Sequence, residues 1–154
     1  MRIVVAVVGK PRDAALAAAI RDYEARATRY WPLEVREVRE ESGRSLSAQQ
    51  VRDRESERLA SAVPAGAHVV SCELGGLAMS SEAFAQWLQR RREEAKDVVF
   101  LIGGAHGLGE STQRVTSTRL ALAPWTLPHE VARLVLAEQL YRAGTIVRRE
   151  PYHK

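Results

Sequence analysis

The sequence has one cysteine, Cys72, in 154 residues, which excludes an intramolecular disulfide and a cysteine-rich zinc site. No stretch approaches the roughly 20 apolar residues of a membrane span. The opening Met1–Val8 segment is too short and wrongly flanked for a signal peptide, so the expected location is the cytoplasm. Histidine is sparse: His68, His106, His129 and His153 do not pair with another His, Cys or acid at a recognised ligand spacing, and no metal is expected. No Gly-x-Ser-x-Gly elbow is present. Cys72 ends an apolar strand and reads as a small buried residue rather than an active thiol. Lysine occurs at three positions against 20 arginines. The arginine excess covers solvated helix faces too, as a codon bias would produce, so by itself it does not indicate phosphate recognition.

What remains is an ordinary globular composition, 45% hydrophobic and 27% charged, in a length that fits one domain, residues 1–154. The net charge is +4, and Arg142, Arg148, Arg149 and Lys154 against Glu150 place +3 of it in the last 13 residues. Strand-like and helix-like segments alternate without linker or repeat. Ile3–Val8 is a β-branched run that suits a strand buried on both faces. Asp13 can cap a helix bearing Leu16, Ile20, Tyr23 and Ala27. Leu33–Arg39 alternates imperfectly, as an edge strand would. Ser47-x-x-Gln50 has capping-box spacing. A strand over Ala67–Cys72 is followed by Glu73–Gly76, and Ser80 or Ser81 caps the next helix. Asp97–Ile102, Thr118–Ala123 and a final helix over about His129–Val147 complete the order. This alternation predicts an α/β fold, a mostly parallel sheet with helices on both faces. Ligands of such sheets sit beyond the carboxyl ends of the strands. Cys72–Gly76, Gly103–Gly109 and Ala123–Pro128 all fall at such ends.

Gly103–Gly109 holds four glycines in seven residues. Thr112 stands where a dinucleotide fingerprint needs a third glycine, and no Gly-Lys-Ser/Thr follows for a phosphate loop. Four glycines exceed the needs of one turn, which favours a ligand read by backbone groups. On the last helix, at about 100° per residue from His129, Arg133 falls near about 40°, Glu138 near about 180° and Arg142 near about 220°. Val131, Leu134, Val135, Leu136, Leu140 and Tyr141 spread over several further directions, and so broad an apolar surface wants a second subunit as cover. Glu138-x-x-x-Arg142 fits either a weak surface ion pair or a charged pair at an interface, and spacing alone does not choose. The closing Glu150-Pro151-Tyr152-His153-Lys154 joins a rigid residue, a ring able to stack on a base, an imidazole able to move a proton and a cation.

The motifs Phe100-Leu101-Ile102-Gly103-Gly104-Ala105-His106-Gly107-Leu108, Leu127-Pro128-His129, Val131-x-Arg133-x-x-Leu136-x-Glu138-Gln139-Leu140-Tyr141-Arg142-Ala143 and Pro151-Tyr152-His153-Lys154 together resemble the ribosomal RNA large subunit methyltransferase H family. The resemblance spans the chain and is strongest from Asp97 to Lys154. It implies a SPOUT methyltransferase fold with a C-terminal trefoil knot, working as a homodimer. The implied reaction carries a methyl group from S-adenosylmethionine to N3 of a pseudouridine in 23S rRNA, on the assembled ribosome. Carried over by motif, Cys72, Gly104, Ala123, Pro124, Trp125, Thr126, Leu127 and Pro128 bind the cofactor. His129, Glu138, Arg142, Tyr152 and His153 serve the target base, with His153 or else Glu138 accepting the N3 proton, Arg142 stabilising charge and Tyr152 positioning the ring. Two departures stand out: Lys154 where related tails often end in arginine, and Ala105-His106 where Pro-Glu is expected, so His106 is given no role. Two other functions remain open, a SPOUT enzyme for another RNA base and a non-catalytic ribosome-associated RNA-binding module.

Overall fold

The first strand shows how the sheet is covered. All six residues of β1 (Ile3–Val8) are buried. Ile3, Val5 and Val7 point into one apolar cluster and Val4, Ala6 and Val8 into another, the period-2 alternation of a strand with a layer on each side. In this computed structural model, which describes residues 1–153 and for His153 the backbone alone, β1 is followed by α1 (Ala14–Ala27), β2 (Leu33–Val38), α2 (Ala48–Ser61), β3 (His68–Ala78) and α3 (Ser81–Glu93). Then come β4 (Val98–Ile102), α4 (Glu110–Val115), β5 (Thr118–Ala121), α5 (His129–Val147) and a 3₁₀ turn over Pro151–His153. The strand order is β2-β1-β4-β3-β5 and every neighbouring pair is parallel. β2, with its imperfect alternation, is an edge strand.

The caps follow the sequence signals. Asp13 accepts the Leu16 N–H at 2.8 Å, and Ser47 and Gln50 close a reciprocal capping box. Of the two serines before α3 it is Ser80 that caps, taking the Ala83 N–H at 3.1 Å. Helices α1, α3 and α5 cover the face that carries Trp31, Phe84, Phe100, Leu136 and Leu140, while Leu59 of α2 covers the other. Fully buried Trp31 donates its indole N–H to the Leu140 carbonyl at 2.8 Å, which fixes the end of α1 against the middle of α5.

Two elements depart from the sequence reading. β3 does not stop at Cys72 but resumes pairing, because Cys72 and Leu77 both oppose Leu120 and residues 73–76 arch out between them. The arch needs glycine: Gly75 has φ +81°, and a Cβ on Gly76 would lie 2.7 Å from the Leu120 carbonyl carbon. The six-residue α4 carries no apolar periodicity and was not expected; buried Thr112, whose hydroxyl donates to the Gly109 carbonyl at 2.7 Å, ties its first turn. β5 is shorter than expected, ending at Ala121, so Leu122–Pro128 is free to form a loop.

Candidate functional site

The carboxyl ends of β3, β4 and β5 meet at one cleft of about 610 Å³, within the size range of small-molecule sites. Cys72, Glu73 and Leu74 form one wall. Ile102, Gly103, Gly104, Ala105, Gly107 and Leu108 form a second, and Leu122, Ala123 and Trp125–Pro128 a third, with His129 and Ala132 of α5 behind. The three segments singled out by strand-end position are therefore brought together. Of the eight cofactor candidates, Pro124 alone is not on the wall. Trp125 stands at the rim, 77% exposed.

The walls are apolar side chains and main chain. Among the described residues neither Lys nor Arg lines the cleft, and Glu73 is the one carboxylate, held by the Arg119 guanidinium. A phosphate would find neither Lys nor Arg among these described residues, consistent with the failed phosphate-loop motifs. Burial, and then the Glu73 charge, push the Cys72 thiol up to about 12. It is thus a neutral wall residue at neutral pH.

The glycine loop is held from below by α2, which the sequence reading did not associate with the site. Ser56, fully buried, accepts the Gly109 N–H at 2.6 Å. Glu55, 2% exposed, accepts the Glu41 N–H through Oε2 at 3.0 Å, while its Oε1 is buried without a partner among the described residues. A Cβ on Gly104 would fall 2.8 Å from that Oε1 and 3.2 Å from Val8 Cγ1. Both residues sit in a highly charged helix and read as solvated surface. The polar signal that could have found them is Glu55-Ser56 falling next to Val51 and Leu59 on the buried side.

The target-side candidates divide. His129 lines the cleft. Glu138, Arg142 and Tyr152 meet elsewhere: Arg142 holds Glu138 Oε1 through Nη2 at 2.6 Å and Nε at 3.0 Å, and the Tyr152 hydroxyl donates to the same oxygen at 3.1 Å. Gln139 donates to Glu138 Oε2 at 2.9 Å. Arg142 lies 5.0 Å over the Tyr152 ring, and Tyr141 packs on it at 4.5 Å. Glu138-Arg142 is thus the half-buried base on which the tail docks, more than an isolated surface pair. Burial, then the Tyr23 hydroxyl and the Glu138 carboxylate, raise the Tyr152 phenol above its ordinary value. Glu138 is nine residues beyond His129, about 13 Å along α5 at about 1.5 Å per residue. The His153 side chain and Lys154 lie outside the described residues.

A model of the family described as predicted SPOUT methyltransferase matches residues 1–153. A curated ribosomal RNA large subunit methyltransferase H from Gemmatimonas aurantiaca is 63% identical over the full length of both chains. The chain belongs to that methyltransferase family. A second member, from Sorangium cellulosum, is 42% identical over 99% of each chain. The crystal structure of TrmJ from Z. mobilis is similar with a TM-score of 0.50 at 19% identity, covering 93% of this chain and 70% of that one, a likeness of fold.

SPOUT methyltransferases use S-adenosylmethionine, and the cleft of this family member suits it on its own chemistry. The cofactor carries no phosphate, and the described wall residues include neither Lys nor Arg to meet one. Beside its carboxylate it carries a sulfonium and an ammonium, and among the described wall residues Glu73 supplies an acidic partner for positive charge. Its adenine is flat and apolar-faced, and Ile102, Leu108, Leu122, Leu127 and Ala132 are apolar. Among the described residues no cluster of metal-ligating side chains exists, and no helix is long and apolar enough to cross a membrane.

Proposed function

We propose that this chain methylates N3 of a pseudouridine in 23S ribosomal RNA, on the assembled ribosome, with S-adenosylmethionine as donor. The relatives' names supply the rRNA substrate class, and the observation that carries the reading here is the pairing of an apolar, main-chain-lined strand-end cleft with a docked C-terminal tail. When bound, S-adenosylmethionine supplies an electrophilic methyl group. Cys72, Gly104, Ala123, Trp125, Thr126, Leu127 and Pro128 are the residues to hold it, largely through backbone groups, with Pro124 shaping the loop between Ala123 and Trp125.

Pseudouridine N3–H is an imide, so its proton must leave and the negative charge on the flanking carbonyls must be met. Glu138 is a poor acceptor because both its oxygens are taken, by Arg142 and Tyr152 on one and Gln139 on the other. His153 is the better assignment. Arg142 spends Nε and Nη2 on Glu138, which leaves Nη1 to face a developing oxyanion. Tyr152 keeps its proton and donates to Glu138, so it positions the base through its ring rather than through acid-base chemistry.

Cleft and tail are too far apart on α5 to serve one another within a protomer. Val131, Leu134 and Val135, all only half-buried, form a stripe that continues at helical spacing into Glu138 and Arg142. A second copy packed along that stripe with its α5 antiparallel would bring the tail of one subunit to the cleft of the other and cover the apolar residues. The working unit is then a homodimer. The C-terminal trefoil knot and a single SPOUT domain belong to the same proposal.

Calorimetry with S-adenosylmethionine, followed by methyl transfer to ribosomes lacking the modification, tests the reading. One saturable site per chain and transfer to the large-subunit rRNA are expected. Absence of saturable binding would make the chain a non-catalytic module, and transfer to a different base would reassign the substrate.

A further inference from the structure

At the end of α5 opposite the cleft, two guanidinium groups gather on three consecutive residues. Arg148 stacks over the Tyr30 ring at 4.8 Å and donates through Nη2 to the Arg29 carbonyl at 3.2 Å. Arg92 stacks over the Trp31 ring at 4.0 Å and donates through Nη2 to the Tyr30 carbonyl at 2.7 Å. The side chain of Arg29 itself is exposed beside them, and so is that of Arg149. Arg149 adopts φ +58° where the chain leaves α5, a left-handed position at which glycine is the unstrained residue.

Elsewhere the arginines are mostly neutralised: Arg26, Arg58, Arg91, Arg119, Arg133 and Arg142 each hold a carboxylate. Around Arg29, Arg92, Arg148 and Arg149 no carboxylate lies within ion-pair distance among the described residues. Glu150, which follows Arg149 in the chain, accepts the Tyr30 hydroxyl instead. The helix-end carbonyls and rings explain where the two guanidiniums rest, but not why the charge is left uncompensated. Burial, and then the Arg148 charge, lower the Arg92 pKa from its ordinary value.

We propose that the Arg29–Arg92–Arg148 cluster, with Arg149, is a docking surface for the phosphate backbone of ribosomal RNA, which holds the ribosome next to the tail. The proposal rests on the rRNA-methyltransferase reading and extends it from the reacting base to the anchoring of its strand. Each stacked guanidinium commits one Nη to a carbonyl and leaves donors in a planar fork that suits an anionic oxygen pair, phosphate or carboxylate. Two features favour RNA over an acidic protein surface. The chain runs from the cluster's end of α5 directly into the turn bearing Tyr152, which folds back onto Glu138 and Tyr141. A row of rings joins the two: Tyr30 packs on Tyr141 at 5.8 Å, and Tyr141 on Tyr152 at 4.5 Å, so phosphate-binding cations run into the aromatic that positions the base. The chain's small net charge is thereby focused where it acts.

The test uses the full-length protein and 70S ribosomes lacking the modification. Affinity is measured against KCl concentration for the unsubstituted protein and for Arg29→Gln/Arg92→Gln/Arg148→Gln. Each lost phosphate contact lowers the slope of log affinity against log salt by about 0.7–0.9, so the triple variant should lose about two units of slope. At least tenfold of ribosome affinity should go with it, with S-adenosylmethionine affinity and transfer rate at saturating ribosome unchanged. Arg29→Glu reverses an exposed charge with no packing loss and should weaken binding even if the triple variant unfolds. Replacing all three by lysine should retain most of the slope. Unchanged affinity and slope in these variants would overturn the proposal, and lost affinity with an unchanged slope would point to a protein contact and overturn it too. If the unsubstituted protein transferred no methyl group to ribosomes, the failure would lie in the underlying reading instead.

Discussion

Substituting Gly104 by alanine places a methyl group between the glycine loop and α2. The new Cβ would lie 2.8 Å from Glu55 Oε1 and 3.2 Å from Val8 Cγ1, the first well inside van der Waals contact. Glu55 cannot swing away, because it is 2% exposed and its other oxygen is fixed by the Glu41 N–H. Val8 is locked in the central sheet, paired to β2. The loop must therefore lift toward the cleft. Overpacking of this size costs about 1–3 kcal/mol, and because Gly104 lines the cleft most of that cost should appear in ligand affinity. At about 1.4 kcal/mol per decade, titration calorimetry should record a loss of roughly tenfold or more in S-adenosylmethionine affinity. Glu55→Ala removes the closer obstruction and leaves the 3.2 Å approach to Val8, so in that background the penalty of Gly104→Ala should fall to less than half, a coupling readable from a double-mutant cycle. Full affinity in the single variant, or an undiminished penalty in the double, would refute the claim that α2 sets the height of the loop.

Other outcomes follow from the same geometry. Deleting Pro151–Lys154 should leave S-adenosylmethionine affinity and dimer formation intact while abolishing methyl transfer; a loss of cofactor affinity would make the tail a lid on the cleft. Arg133, 9% exposed in its side chain, bridges Glu24 at 2.8 Å and Glu37 at 3.1 Å; Arg133→Ala strands two carboxylates and should cost about 3–5 kcal/mol in urea unfolding, and a cost below about 1 kcal/mol would contradict the bridge. Burial, then the Arg91 and Lys96 charges, lower the His68 pKa below its ordinary value. The unfolded chain then binds the proton more readily, so His68's contribution is full above the unfolded value and is lost as pH falls through the folded one. His68→Gln should flatten stability against pH below about 6.5, and an unchanged profile would show that the imidazole is not desolvated. Gly144→Ala drives a Cβ to 2.3 Å from the Tyr30 ring and should lower the melting temperature despite alanine's better helix propensity.

Much of the scaffold was legible because its signals are local. β1 and β4 are uninterrupted apolar runs, and Asp13, Ser47 and Ser80 announce helix starts whose hydrogen bonds the structure contains. Strand-end position also singled out Cys72–Gly76, Gly103–Gly109 and Ala123–Pro128, and residues of all three line one cleft. The remainder depends on approach between distant segments. Nothing near Cys72 shows that β3 resumes on β5, since that turns on Gly76 meeting the Leu120 backbone. Glu55 and Ser56 look like solvated helix until the glycine loop closes over them. Glu138 and Arg142 read as a pair with two possible fates, and only the docked Tyr152 ring shows that they carry the tail. Arg92 and Arg148, 56 residues apart in number, become one patch through contacts at Arg29–Trp31.

The central claim concerns one nucleotide. Mass mapping of 23S rRNA from a strain lacking this gene, alone and carrying it on a plasmid, tests the claim most directly. The account predicts an unmethylated pseudouridine N3 in the deletion and its restoration by the intact chain, but not by a chain ending at Glu150. A pseudouridine still fully N3-methylated in the deletion would contradict it.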